Sequence, residues 1–232
     1  MFSRRLCLAL SSRVFPTIVA ALLLAACGDT GPPAPPGLPS AAAPPPPVEA
    51  TADAEVTATV QEVLGKATHP GLTWAQIPDV APALKALYDG EADRLLWFDG
   101  TRPVPRLDSA VTAIATADDH GLDPKDYDAE ALAAQWQMIK ADGESGPELA
   151  LFDLAVSVAA ARMATAVHKG RVDPATMLWG YDVTARTIDL VGALQSARGD
   201  RGLGDELEDL QPPFPHYRRA RRLAGIYRDL AL

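Results

Sequence analysis

Asp119-His120-Gly121-Leu122-Asp123-Pro124 and, further along, His168-Lys169-Gly170-Arg171-Val172-Asp173-Pro174 share one order of residues: a polar helix end, Gly, a short link, then Asp-Pro. Glycine past a helix end reaches the left-handed conformation that closes the last turn at no steric cost. Asp then accepts hydrogen bonds from the free N–H groups of the next helix, and Pro fits its first position, where no donor is needed. Two such corners predict helices joined by short, specified turns.

Working outward, the segments between and around the corners carry helical periodicity. Residues 106–118 place Leu107, Val111, Ile114 and Ala115 on one face, and residues 129–140 place Leu132, Trp136 and Ile139 inward. Residues 148–169 form the longest helix, with an apolar face dense in alanine that lets neighbours approach closely, which predicts the central helix. Arg162 interrupts that face and is expected to pair with a carboxylate. Upstream, Val56, Val60, Val63 and Leu64 recur at helical spacing. Asp79 is placed to cap a helix bearing Val80, Leu84, Leu87 and Tyr88. Leu95-Leu96-Trp97-Phe98 reads as a brief strand or an extended segment that lays its aromatics on the core. Downstream, Trp179 and Tyr181 are available to close the core, a helix starts at Thr184 or Thr187, and residues 216–232 form a last helix with apolar Tyr217, Leu223, Ile226, Tyr227 and Leu230. The expected fold is all-α, a single helical domain over residues 51–232.

The front of the chain is different. Arg4, Arg5 and Arg13 precede an apolar run that ends in Leu24-Ala25-Ala26-Cys27, the pattern of a signal peptide (residues 1–26) followed by a lipidated cysteine. Residues 27–50 are rich in Pro and Ala and suit an extended tether. Removing the three signal-peptide arginines leaves 18 basic against 30 acidic residues, a balance that excludes nucleic acid as an expected partner and disfavours electrostatic docking on anionic lipid. Membrane attachment is therefore expected through the N-terminal lipid, in the bacterial envelope facing the periplasm. Gly28 rather than Asp after the cysteine favours the outer membrane over the inner. Cys7 and Cys27 are the two cysteines, so the mature fold has neither a disulfide nor a free thiol nucleophile.

Patterns that carry chemistry are sparse. The sequence has neither a Gly-x-Ser-x-Gly elbow nor a Gly-x-x-x-x-Gly-Lys phosphate loop, and His69, His120, His168 and His216 are scattered. His120 with Asp123 and His168 with Asp173 would make a metal site only if both corners met. Each His reads more simply as a helix C-terminal residue whose charged form suits the dipole. No metal and no cofactor are expected. Arg218, Arg219, Arg221 and Arg222 read as the solvated face of an amphipathic helix.

Taken together, Leu96-Trp97-Phe98-Asp99-Gly100, the corner at His120, Gly121, Asp123 and Pro124 with Tyr127, the corner at Gly170, Arg171, Asp173 and Pro174, and the closing run with Leu210, Pro212, Pro215 and Tyr217 resemble the N-terminal scaffold domain of large periplasmic L,D-transpeptidases. The likeness covers roughly residues 72–232. It implies a non-catalytic helical support for a cysteine-dependent domain that makes 3→3 peptidoglycan cross-links. Without a mature free thiol this chain is expected to perform no such reaction itself. The resemblance implies peptidoglycan or a transpeptidase catalytic domain as partner. Trp97, Tyr127, Arg162, Arg171 and Tyr217 are then structural keystones rather than catalysts. The rival readings are a carboxylate-dependent peptidoglycan hydrolase and a generic envelope lipoprotein.

Overall fold

The computed structural model describes residues 48–90, 95–144, 146–172 and 186–231. Its elements are helices α1 (Val48–Lys66) and α2 (Ala81–Gly90), strands β1 (Phe98–Asp99) and β2 (Arg102–Pro103), then helices α3 (Leu107–Ala115), α4 (Ala129–Asp142), α5 (Pro147–Lys169), α6 (Leu190–Arg198), α7 (Leu203–Leu210) and α8 (Pro215–Leu230). Two single 3-10 turns, Ala117–His120 and Pro124–Tyr127, stand between α3 and α4. The described residues are therefore mostly α-helical, as the periodicity predicts. The first helix starts at Val48, just inside the stretch read as tether. Cys27, Asp173, Pro174, Trp179 and Tyr181 lie outside the described residues.

Helix α5 is the centre. It is buried on nearly every side, and α1, α3, α4, α6 and α7 all pack against it. Its length and composition would suit a membrane span, but most of it is enclosed by the domain. Ala155, Ala159, Ala160, Ala161 and Ala164 are fully or nearly fully buried, and their small size admits neighbours from several directions. At its N-terminal half Phe152 stacks on Trp136 of α4 at 6.0 Å, and Phe98 meets both rings edge-on. Such pairs add about 0.5–1.5 kcal/mol each beyond their burial. The Leu95–Phe98 stretch thus lies on the core, and its end forms a two-stranded hairpin, Phe98 opposite Pro103.

The first corner follows the sequence. Gly121 sits at φ 74°, ψ 23°, the left-handed conformation, and Leu122 N–H returns to Ala117 O at 3.2 Å. Asp123 accepts from Lys125 N–H at 3.0 Å and Pro124 takes the first helical position. The helix it opens is one 3-10 turn; Asp128, at φ 52°, then redirects the chain into α4. The second corner departs from expectation. Gly170 has φ 90°, ψ 162°, so it leaves α5 in an extended direction and not through a left-handed turn.

Three other expectations are corrected. Both Asp79 carboxylate oxygens are taken by Arg162, at 3.0 Å each, so Asp79 does not cap α2. The helix expected from Thr184 or Thr187 begins at Leu190, because Asp189 is the cap, accepting from Gly192 N–H at 3.0 Å. His69 and His120 are not charged helix ends. His69 donates from Nε2 to Leu151 O and accepts at Nδ1 from Gly71 N–H, and burial lowers its pKa. Burial, reinforced by Arg221, likewise lowers that of His120, whose Nδ1 is buried without a hydrogen-bond partner among the described residues.

Candidate functional site

The residues singled out by sequence fall into three places. Trp97 belongs to a buried polar node. Asp153 and Ser157, one turn apart on α5, are fully buried. Asp153 accepts from Leu96 N–H at 3.0 Å, from Trp97 N–H at 2.6 Å and from the Tyr88 hydroxyl. Ser157 lies 2.8 Å from the Tyr88 hydroxyl and accepts from Trp97 Nε1 at 3.0 Å. Arg198 Nε donates to Leu96 O at 2.7 Å, and Val104 N–H donates to Trp97 O at 2.9 Å. A non-helical stretch in the core must pair its backbone somewhere; here one aspartate, one arginine and the Val104 amide do it.

Burial raises the Asp153 carboxyl to about 6, against the lowering pull of its three donors and of Arg198. The proton is thus bound more tightly in the folded state. This group's stabilising contribution is complete below about pH 4 and fades as pH rises through about 6. A carbon-13 carboxyl titration is expected to place the Asp153 midpoint near 6; a midpoint below 4 would contradict the buried assignment.

Tyr127, Arg162 and Arg171 come together in the second place, an open cleft of about 590 Å³ that Trp74, Gln76 and Asp126 also line. Arg162 projects from α5, donates to Asp79, and reaches Trp74 O at 3.1 Å and Gln76 O at 2.6 Å. The expected carboxylate pairing of Arg162 is thus present, although Asp79 is half-exposed rather than in the core. Arg171 pairs with Asp126 at 2.6 Å. Burial pushes the Tyr127 hydroxyl up to about 12, so it is a neutral donor at any physiological pH.

The third place is α8, which carries Tyr217 and has His120 beside it. Arg221 and Arg228, not its leucines, face the domain. Arg221 donates to Asp119 O at 2.7 Å, to Gln211 at 2.6 Å and, through both terminal nitrogens, to Glu208 at 2.9 and 3.1 Å. Arg228 pairs with Asp118 at 2.6 Å and Asp119 at 3.0 Å. At 100° per residue, Leu223, Ile226, Tyr227 and Leu230 form one stripe on the opposite side. They are 52%, 48%, 69% and 76% exposed, and no residue of α8 is buried. The expectation that Arg218, Arg219, Arg221 and Arg222 form a solvated face is reversed for Arg221, and Arg228 joins it on the inner side. Tyr217 is partly buried near the start of this helix.

The scaffold-domain family model matches residues 82–223, which is more than half of the chain and runs from α2 into α8. The chain belongs to the scaffold-domain family. No curated protein and no solved structure matches it.

Within this scaffold domain, the described residues hold no group of three or more His, Cys, Asp or Glu side chains placed to bind a metal ion. The sequence reading did not find Asp153 or Ser157. Their signal was present: two polar residues, i and i+4, inside the otherwise apolar stretch Leu149–Ala161 of α5. It also passed over Trp74, a large aromatic 59% exposed at the cleft rim. Arg221 and Arg228, seven residues apart on one face of α8, mark the side that turns inward, but their partners, Glu208 for Arg221 and Asp118-Asp119 for Arg228, lie on other elements.

Proposed function

We propose that this scaffold domain is a non-catalytic, lipid-anchored envelope module that supports a cysteine-dependent L,D-transpeptidase catalytic domain, carried by the same gene product or by a second chain. The observation that carries the reading is the outward apolar stripe of α8. The helix is fixed to the domain by partly exposed ion pairs, each worth at most about 1 kcal/mol, while its apolar side chains remain in water. Covering a Leu, Ile or Tyr of that stripe yields about 1.5–3 kcal/mol. A partner with an apolar surface therefore gains most at this helix.

The chemistry of the chain agrees with a supporting role. Thiolate attack on an acyl donor needs a free, activated cysteine, and Cys27 is the acylation position of the lipoprotein pattern. Among the described residues the one carboxyl group raised towards neutrality, Asp153, is sealed in the core with all three donors engaged, so it reaches no substrate. A carboxylate-based hydrolase has no acid of this kind to use among the described residues.

The test incubates tetrapeptide muropeptides with the purified protein, alone and with a separately purified L,D-transpeptidase catalytic domain, and separates the products chromatographically. The expected result is no 3→3 cross-link from this protein alone and faster cross-linking when both are present. Cross-links formed by this protein alone would overturn the proposal.

A further inference from the structure

The cleft beside α5 has the construction of a binding site, and its strongest feature is an exposed tryptophan on a clamped stretch of backbone. Thr73 donates to Asp128 from its N–H at 3.1 Å and from its hydroxyl at 2.5 Å. Arg162 holds the carbonyls of Trp74 and Gln76. The backbone on both sides of Trp74 is therefore clamped by side chains from other elements, while the indole itself stays exposed. The loop that carries the ring is fixed, so the ordering cost left for a ligand to meet is that of the indole side chain and not of the backbone.

The charge of the cleft narrows the ligand. Arg162 is matched by Asp79, behind the lining, and Arg171 by Asp126, so each guanidinium of the cleft already has a carboxylate partner and neither is an unmatched cation that would select an anion. Apart from the hydroxyls of Thr73 and of the neutral Tyr127, its side-chain polar groups are planar and can bond through two atoms (guanidinium, carboxylate and the Gln76 amide). A flat apolar ring face flanked by planar hydrogen-bonding groups suits a ligand with a C–H face and hydroxyl or amide edges. The volume, about 590 Å³, accepts a few sugar rings.

We propose that this cleft binds the uncharged N-acetylated sugar units of a glycan strand, one ring stacked on Trp74 and its edge groups held by Gln76, Asp126 and Arg171. The ligand class rests on the wall-facing reading given above; the geometry of the site does not.

The test is a calorimetric and saturation-transfer NMR titration of the intact mature protein with an N-acetylglucosamine tetrasaccharide. Binding is expected in the wild type, weakened about tenfold or more in Trp74→Ala and largely retained in Trp74→Phe. Trp74 is exposed, so both variants are expected to fold, with circular dichroism as the check. Equal binding by Trp74→Ala, or no binding by the wild type, would overturn the site. Equal competition by a peptide bearing free carboxylates would overturn the choice of a neutral sugar. A variant with a polar α8 stripe is expected to keep glycan binding. Loss of the glycan with partner docking intact would remove this inference and leave the scaffold reading standing.

Discussion

Asp153→Ala is expected to cost about 3–5 kcal/mol of folding stability, read as a fall in the urea midpoint at unchanged slope. The reason is the number of groups that one carboxylate serves. Leu96 N–H, Trp97 N–H and the Tyr88 hydroxyl all donate to it, and all are buried beyond the reach of water. Alanine leaves two backbone donors unpaired, each costing about 1–3 kcal/mol, and opens a small void. Tyr88 keeps Ser157 and loses less. Asp153→Asn should be milder, because the amide oxygen still accepts, although its NH₂ group then opposes one of the N–H donors. A loss below about 1 kcal/mol for the alanine variant would mean that the Leu95–Phe98 segment is held chiefly by its apolar side chains and not by the aspartate.

The α8 variant Leu223→Gln, Ile226→Gln and Leu230→Gln is expected to weaken association with a transpeptidase catalytic domain by a factor of 100 or more. Roughly 1.5 kcal/mol is lost per anchor and each 1.4 kcal/mol is tenfold in affinity. Stability should hardly move, by about 0.5 kcal/mol or less, because none of the three side chains is buried in the domain and glutamine is a good helix former. The contrast separates a docking surface from a core. If the same variant unfolds the protein, the stripe belongs to the domain's own packing. If both stability and association are unchanged, the stripe serves neither.

Local features were legible in the sequence because local rules set them. Gly121 takes the left-handed turn and Asp123 caps through Lys125 N–H, both within a few residues of their partners. Helix α5 was legible because its apolar face is wide and rich in alanine. Arg162 was readable as a paired residue, since an arginine on a buried face needs a partner, but its choice of Asp79 depends on a contact far away in sequence. Gly170 shows the limit of a motif: the same order of residues as at Gly121, but ψ near 162° where Gly121 has 23°.

What was not legible lies in orientation and in long-range pairing. The periodicity of α8 specifies an apolar stripe but not the direction in which it points. That direction is set by Arg221 and Arg228 reaching Asp118, Asp119 and Glu208, residues on other elements. Asp153 and Ser157 read as ordinary polar positions until the backbone of Leu96 and Trp97 is seen beside them. The candidate cleft is assembled from the loop around Trp74, the turn at Tyr127 and the C-terminal half of α5, and no single stretch contains it.

The most direct test of the scaffold reading is amide hydrogen exchange across residues 215–231, with and without a saturating L,D-transpeptidase catalytic domain. Protection of the amides around Leu223, Ile226, Tyr227 and Leu230 on adding the partner, with the α5 core unchanged, is the predicted result. Unaltered exchange in α8 while the partner is bound would contradict it and place the docking surface elsewhere.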